Sequence, residues 1–171
     1  DVAIVCNGGA LVKSKQQLTL QSTEFDLEQI TFLTSIARQL RMTLSAQRDS
    51  HHHGGPDFLL DNAHPLSTQA QLYLDENADY AEQADLLTAA TNALVIGTFD
   101  EEYKLKEFHR RVDADPPRRF NTLIIPHLDS PFHSCEVVQK HVDKWYGLKL
   151  LADQKAITAS NICAAGDQMN D

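Results

Sequence analysis

Two short apolar runs stand near the ends of the chain, "VAIVC" at 2–6 and "ICAA" at 162–165, and each leads into a glycine turn. An unbroken apolar run of this length suits a strand covered on both faces, and such strands belong to parallel sheets flanked by helices. The stretch between them carries a different pattern, in which half-buried strands alternate with helical periodicity. Ends of one kind around a middle of another predict a parallel core interrupted by an inserted sheet-and-helix layer.

The clearest element of the middle begins at Asp26, a cap with Gln29 at the third helical position, and Phe25 and Ile30 stand where a hydrophobic staple closes. Leu27, Ile30, Leu33, Ile36, Ala37 and Leu40 then recur at helical spacing, which predicts a helix over 27–40. "LTLQS", "RMTLSA", "AQLYLD", "ALVIGT", "TLIIPHL" and "CEVVQ" read as strands, and "AEQADLLTAAT" as a helix. Asp100 is placed to cap a further helix with Leu105, Phe108 and Val112 on one face, ended by "DADPPRR". From Lys144, the positions of Leu148, Leu151 and Ala152 predict an amphipathic helix before the terminal apolar run.

The chain has 171 residues, 42% of them hydrophobic, which is enough for one domain or for parts of two. Its 24 acidic residues against 15 basic ones leave a formal net charge of -9, so the summed field repels nucleic acid and anionic lipid. Neither is expected as a partner. Cys6, Cys135 and Cys163 are an odd count in apolar runs without a CxxC pair, and are expected to be buried, reduced thiols of a cytoplasmic protein. No apolar run is long enough to span a bilayer.

The chemistry concentrates at the ends. A strand that runs through Gly166 into Asp167 and Asp171 sets two carboxylates at the edge of a sheet where open α/β folds bind ligands. Both can reach one hard cation, and Mg²⁺ takes one or two carboxylates with water and substrate phosphate. They also fit as loop acids at a helix start. Lys144 can neutralise a phosphoryl oxygen or stand as a surface lysine, and Asn7 suits the turn after a strand. "HHHGGP" at 51–56 has imidazoles suited to a transition metal, but adjacent histidines rarely converge on one ion and no nearby cysteine or acidic cluster completes a tetrahedral set, so a mobile loop is expected there. His127, Asp129 and His133 read as polar turn residues, and the clusters at His109–Arg111 and Arg118–Arg119 as solvated cations within reach of an anion.

Taken together, "VCNGGALV", "VDKWYGLKLLADQKAI" and "ICAAGDQMND" resemble the hinge, lysine and GDxxND motifs of the haloacid dehalogenase superfamily. The order and spacing are most similar to the Cof-type phosphatases. The resemblance implies an α/β fold, a partial Rossmann-like core with a parallel sheet and an inserted α/β cap of the C2 class. It divides the chain into a core strand and hinge at 1–12, a cap at 13–139 and a returning core segment at 140–171.

By the same resemblance Lys144 stabilises the phosphoryl group, Asp167 and Asp171 position Mg²⁺, and Asn7 and Asn170 lie beside the substrate. The implied reaction is hydrolysis of a small phosphorylated metabolite, a sugar phosphate, through an aspartyl-phosphate. Two departures stand out. Trp145 follows the lysine where the family often has a small residue, and no DxDGT run occurs to supply the nucleophile. The chain is therefore expected to be inactive alone; the competing reading is a catalytically silent binding module of the same fold.

Overall fold

A computed structural model describes residues 1–90, 92–126 and 132–163, and the chain takes a mixed α/β fold. Strands β1 (Val2–Val5), β2 (Ala10–Lys13) and β3 (Leu18–Ser22) form a three-stranded antiparallel sheet in that order, with a 3-10 turn, Cys6–Gly8, between the first two. The strand expected to be covered on both faces, β1, is only half-buried. Its turn leads straight into a second apolar run, so a hairpin forms, and burial passes to Ala10, Leu11 and Val12 of β2. The expected parallel pairing of β1 with 162–165 rests partly on residues outside the described ones.

Helix α1 (Leu27–Gln39) begins with the capping box that its sequence announces: Asp26 accepts from the Gln29 backbone at 2.8 Å, and Gln29 accepts from the Asp26 backbone at 3.0 Å. After it come β4 (Leu44–Arg48), the short α2 (Ser50–His53), β5 (Phe58–Asp61), α3 (Thr68–Glu76), β6 (Ala81–Ala84), α4 (Leu86–Ala89) and β7 (Ala93–Glu101). Next are α5 (Glu102–Asp113), β8 (Phe120–Pro126), β9 (Phe132–Gln139) and α6 (Lys144–Gln154). The second sheet has six strands in the order β6-β5-β4-β7-β9-β8, of which β5 and β6 are parallel.

That parallel pair explains two misread segments. Parallel neighbours need a crossover, and "AQLYLD", expected as a strand, lies in the crossover helix α3, capped by Ser67 accepting from the Ala70 backbone. "AEQADLLTAAT", expected as a helix, divides into the edge strand β6 and the short α4 capped by Asp85. Glu82 and Gln83 are both exposed, so nothing in that strand's own pattern marks its pairing. The α5 cap falls at Glu101 rather than Asp100, whose side chain instead accepts from the Glu101 backbone and from Lys104 Nζ at 3.0 Å.

The larger core lies on one face of this sheet. Leu33 and Ile36 of α1 and Leu105, Phe108 and Val112 of α5 pack there with Leu44, Ile96, Cys135 and Val137. Each fully buried Leu or Phe side chain contributes about 2 kcal/mol of burial energy. A second cluster joins Ala10, Leu94, Val95, Val138 and Val142 to Cys6 and Tyr146. The register shift opposite Gln47 and Arg48 leaves Leu94 unpaired across β4, and Leu94 and Val95 both enter this second cluster. Of the three thiols expected to be buried, Cys135 is, Cys6 is half-buried and Cys163 is exposed. Cys163 follows the turn Ala159–Asn161, beyond the packed helix α6. Among the described residues no helix is long and apolar enough to cross a membrane.

Candidate active site

The turn after β1 is held against the start of α6 by the absence of side chains. Gly8 has a φ of +94°, and a Cβ there would stand 1.9 Å from the Asp143 carbonyl oxygen. Gly147 mirrors it: a Cβ would lie 2.8 Å from Gly8 Cα and 2.6 Å from Ile4 Cγ2. Two backbones thus touch where the hinge meets the first helical turn. Val142, buried in the second cluster, anchors the chain just before Asp143 caps α6 by accepting from the Tyr146 backbone at 2.6 Å.

This packing fixes two residues singled out in the sequence. Asn7 takes a left-handed backbone, φ 53°, which asparagine tolerates better than most residues. Its Nδ2 donates to Glu136 Oε2 at 2.6 Å. Lys144 opens α6 and is exposed. Both line one cavity of about 480 Å³, together with Asp143, Glu136, Asn121 and Lys140. Cys135 and Val137 point into the larger core, so Glu136 between them projects from the opposite face of the sheet, toward the hinge. The ends of the chain and the outer strands of the six-stranded sheet therefore share one opening. Asp167, Asn170 and Asp171, the other expected site residues, lie outside the described residues.

Charge of both signs meets at the cavity. Lys144, Lys140 and Arg118 bring cations, and Glu136, Asp113 and Asp143 bring carboxylates. His109 Nε2 stands 3.4 Å from Asp113 Oδ2, while its Nδ1 is buried without a partner, as is Thr122 Oγ1. The basic clusters divide. Arg110 and Arg111 pair with Glu107, and Arg119 pairs with Asp115 and Glu28 over the Phe32 and Phe120 rings, whereas His109 and Arg118 line the cavity. Beside the hinge, burial, with Asp49, Glu136 and Asp57 adding to it, pushes the Cys6 thiol up to about 11, so it stays protonated at neutral pH. Burial and then Glu136 likewise raise the Tyr73 hydroxyl to about 12.

Sequence reasoning missed Glu136, Asn121 and Lys140. For Glu136 a signal existed, because a lone carboxylate inside the apolar run "CEVVQ" belongs on the face away from the core. Asn121 and Lys140 carry no such mark; their approach to the cavity follows from the pairing of β8 with β9.

The turn seated on the start of α6 and the mixed sheet that lends polar side chains to the same cavity belong to one α/β fold. The chain belongs to the haloacid dehalogenase-like hydrolases, the family whose profile matches residues 1–171. Among solved structures it is similar to a phosphatase of the haloalkanoate enzyme superfamily from Bacteroides thetaiotaomicron, at 14% identity and a TM-score of 0.72, covering 100% of this chain and 57% of that one. A haloacid dehalogenase-like hydrolase from B. subtilis matches at 15% identity and a TM-score of 0.71, over 99% of this chain and 64% of that one. A subclass IIB sugar phosphatase matches at 11% identity and a TM-score of 0.65, over 92% and 54%. The chain thus spans less than two thirds of the length of these structures. No curated protein matches it in sequence.

Proposed function

We propose that the intact protein is a Mg²⁺-dependent phosphomonoesterase acting on a small phosphorylated metabolite of the sugar phosphate kind. The single observation that carries this reading is that Asn7 and Lys144, from the two ends of the chain, line one cavity. In this reading 1–12 and 140–171 belong to the core, and 13–139 is the cap that closes over the substrate.

Lys144 Nζ sets a positive charge against the phosphoryl oxygens, where it counts for most as charge shifts during transfer. Asn7 Nδ2, now given to Glu136, offers a donor to the same oxygens once a phosphate displaces that contact. Glu136 and Asn121 then face the remainder of the substrate, and a carboxylate with an amide suits hydroxyl groups. A volume of about 480 Å³ admits a small metabolite. The sugar phosphatase among the similar structures supports the same substrate class. Asp167 and Asp171 would hold Mg²⁺, with Asn170 ordering their loop, and the ion would neutralise charge on the phosphoryl group.

Attack on phosphorus by an aspartate carboxylate releases the alcohol and leaves an aspartyl-phosphate, which water cleaves to phosphate and the free carboxylate. No DxDGT run occurs in these 171 residues, so the chain by itself is expected not to turn over. The test is hydrolysis of p-nitrophenyl phosphate by the intact protein, with and without Mg²⁺. Lys144→Ala is expected to lower kcat/KM by about 100-fold or more. Activity indifferent to both Mg²⁺ and Lys144 would sink the reading. Phosphate binding without turnover would leave the silent binding module in its place.

A further inference from the structure

Two side chains of the α2 turn meet a third, distant in sequence, where β3 passes into α1. Glu24 lies in that connection, Asp49 caps α2, and His53 ends it. One donor atom from each lies within 4.8 Å of the other two, and His53 Nε2 stands 3.1 Å from Glu24 Oε1. The fold thus adds Glu24 to the aspartate that the sequence already places beside the histidine run.

An ordinary His53–Glu24 ion pair leaves Asp49 unexplained. Asp49 is 4% exposed. Its Oδ1 accepts from Thr19 Oγ1 at 2.8 Å and from the His52 backbone at 3.1 Å, but its Oδ2 is buried with no hydrogen-bond donor. A buried carboxylate oxygen without a donor loses its hydration with nothing in exchange, and a divalent cation provides the missing partner. Outer hydrogen bonds already orient the set: Thr19 steadies Asp49, and Ser22 Oγ donates to Glu24 Oε1 at 2.9 Å.

We propose that Glu24, Asp49 and His53 form a site for Zn²⁺, with water as a fourth ligand, that ties the α2 turn to the β3–α1 connection. One imidazole with two carboxylates suits zinc, whereas Mg²⁺ favours oxygen ligands throughout. Donors at about 2.0 Å from a tetrahedral zinc stand roughly 3.3 Å apart, so the three groups need only draw together modestly. Asp49 lines a cleft with Cys6 and Asp57, separate from the cavity of Asn7 and Lys144, so the proposal does not depend on the phosphatase reading.

The test is calorimetric titration of the metal-free full chain with Zn²⁺, with Co²⁺ absorption as a second probe. The expected result is one ion per chain whose binding is weakened with Glu24→Gln, beside any ion that Asp167 and Asp171 take up. Asp49→Asn and Glu24→Gln should each weaken binding by about tenfold or more, and Thr19→Val, which removes no ligand, by several-fold to about tenfold. The double variant His51→Gln, His52→Gln should change affinity by less than about threefold, because neither imidazole belongs to the set. A thermal midpoint raised by Zn²⁺ should be lost with Glu24→Gln. Glu24 is partly exposed, so that variant decides the matter even if Asp49→Asn fails to fold. No saturable binding below about 1 mM Zn²⁺ would overturn the proposal. So would binding that survives Glu24→Gln but vanishes in the double histidine variant, since the exposed run would then be the ligand.

Discussion

At Gly8 a whole interface turns on one missing Cβ. An alanine would strain a φ of +94° and set its Cβ 1.9 Å from the Asp143 carbonyl oxygen. Gly8→Ala should therefore lower stability by roughly 2–4 kcal/mol, seen as an earlier urea midpoint. The "NGG" run gave away the turn but not the helix against it, because the backbone that excludes a side chain belongs to residue 143. Glu136 is the reverse case, a residue whose own pattern marks its face while its partner Asn7 lies far off in sequence. Beside it, burial and then Glu136 hold the Cys135 thiol up at about 12, against about 8.5 in the unfolded chain. The folded state thus keeps a proton that the unfolded state gives up. That contribution is whole below about pH 8.5 and fades as pH climbs toward 12. Cys135→Ala should cost about 1–2 kcal/mol at pH 7, and the gap to the unmodified protein should narrow between about pH 8.5 and 11 in urea unfolding.

Elements that carry their own caps and stripes were legible, and those made by their neighbours were not. Helix α1 declares itself through Asp26, Gln29 and an apolar stripe, of which Ile30, Leu33, Ile36 and Ala37 are buried while Leu27 in the first turn is exposed and Leu40 falls just past the end. Helix α3 has only Ala70 fully buried and leaves Leu72 exposed, so its apolar residues mimic strand alternation; its helical state follows from the crossover it must make. Strand β6 exists because β5 offers it an edge. One cation joins several of these parts. Arg38 of α1 reaches Asp61 on β5 at 2.9 and 2.7 Å and Asp85, the α4 cap, at 2.5 Å. Asp61 is 3% exposed, so removing the guanidinium strands a buried carboxylate. Arg38→Ala should lose about 3–5 kcal/mol, and Arg38→Lys should recover only part of it, because an ammonium cannot repeat the two-pronged contact. Matched urea titrations of the three proteins would measure both.

In the molecule as a whole, two apolar cores stand back to back on β7 and β9. Ile96 and Val137 face the α1 and α5 side, while Val95 and Val138 join the cluster with Ala10 and Val142 that holds the hinge and the start of α6. The alternation of β9 foretold that its neighbouring residues face opposite ways. It did not foretell that the second face belongs to the chain ends, since that depends on where the hinge docks. This arrangement makes positions 7 and 144 neighbours only while the second core is intact. Val138→Ala removes two methyl groups from it and should cost about 1–2 kcal/mol, borne first by the smaller cluster. Hydrogen exchange should then rise about tenfold in 1–22 and in the first turn of α6, with α1 and α5 little changed. Leu33→Ala, in the larger core, should instead raise exchange across all six strands of the second sheet, because that core closes over its face. Equal acceleration everywhere in Val138→Ala would mean that the hinge and the sheet open as one unit, and Asn7 and Lys144 could then part only by global unfolding.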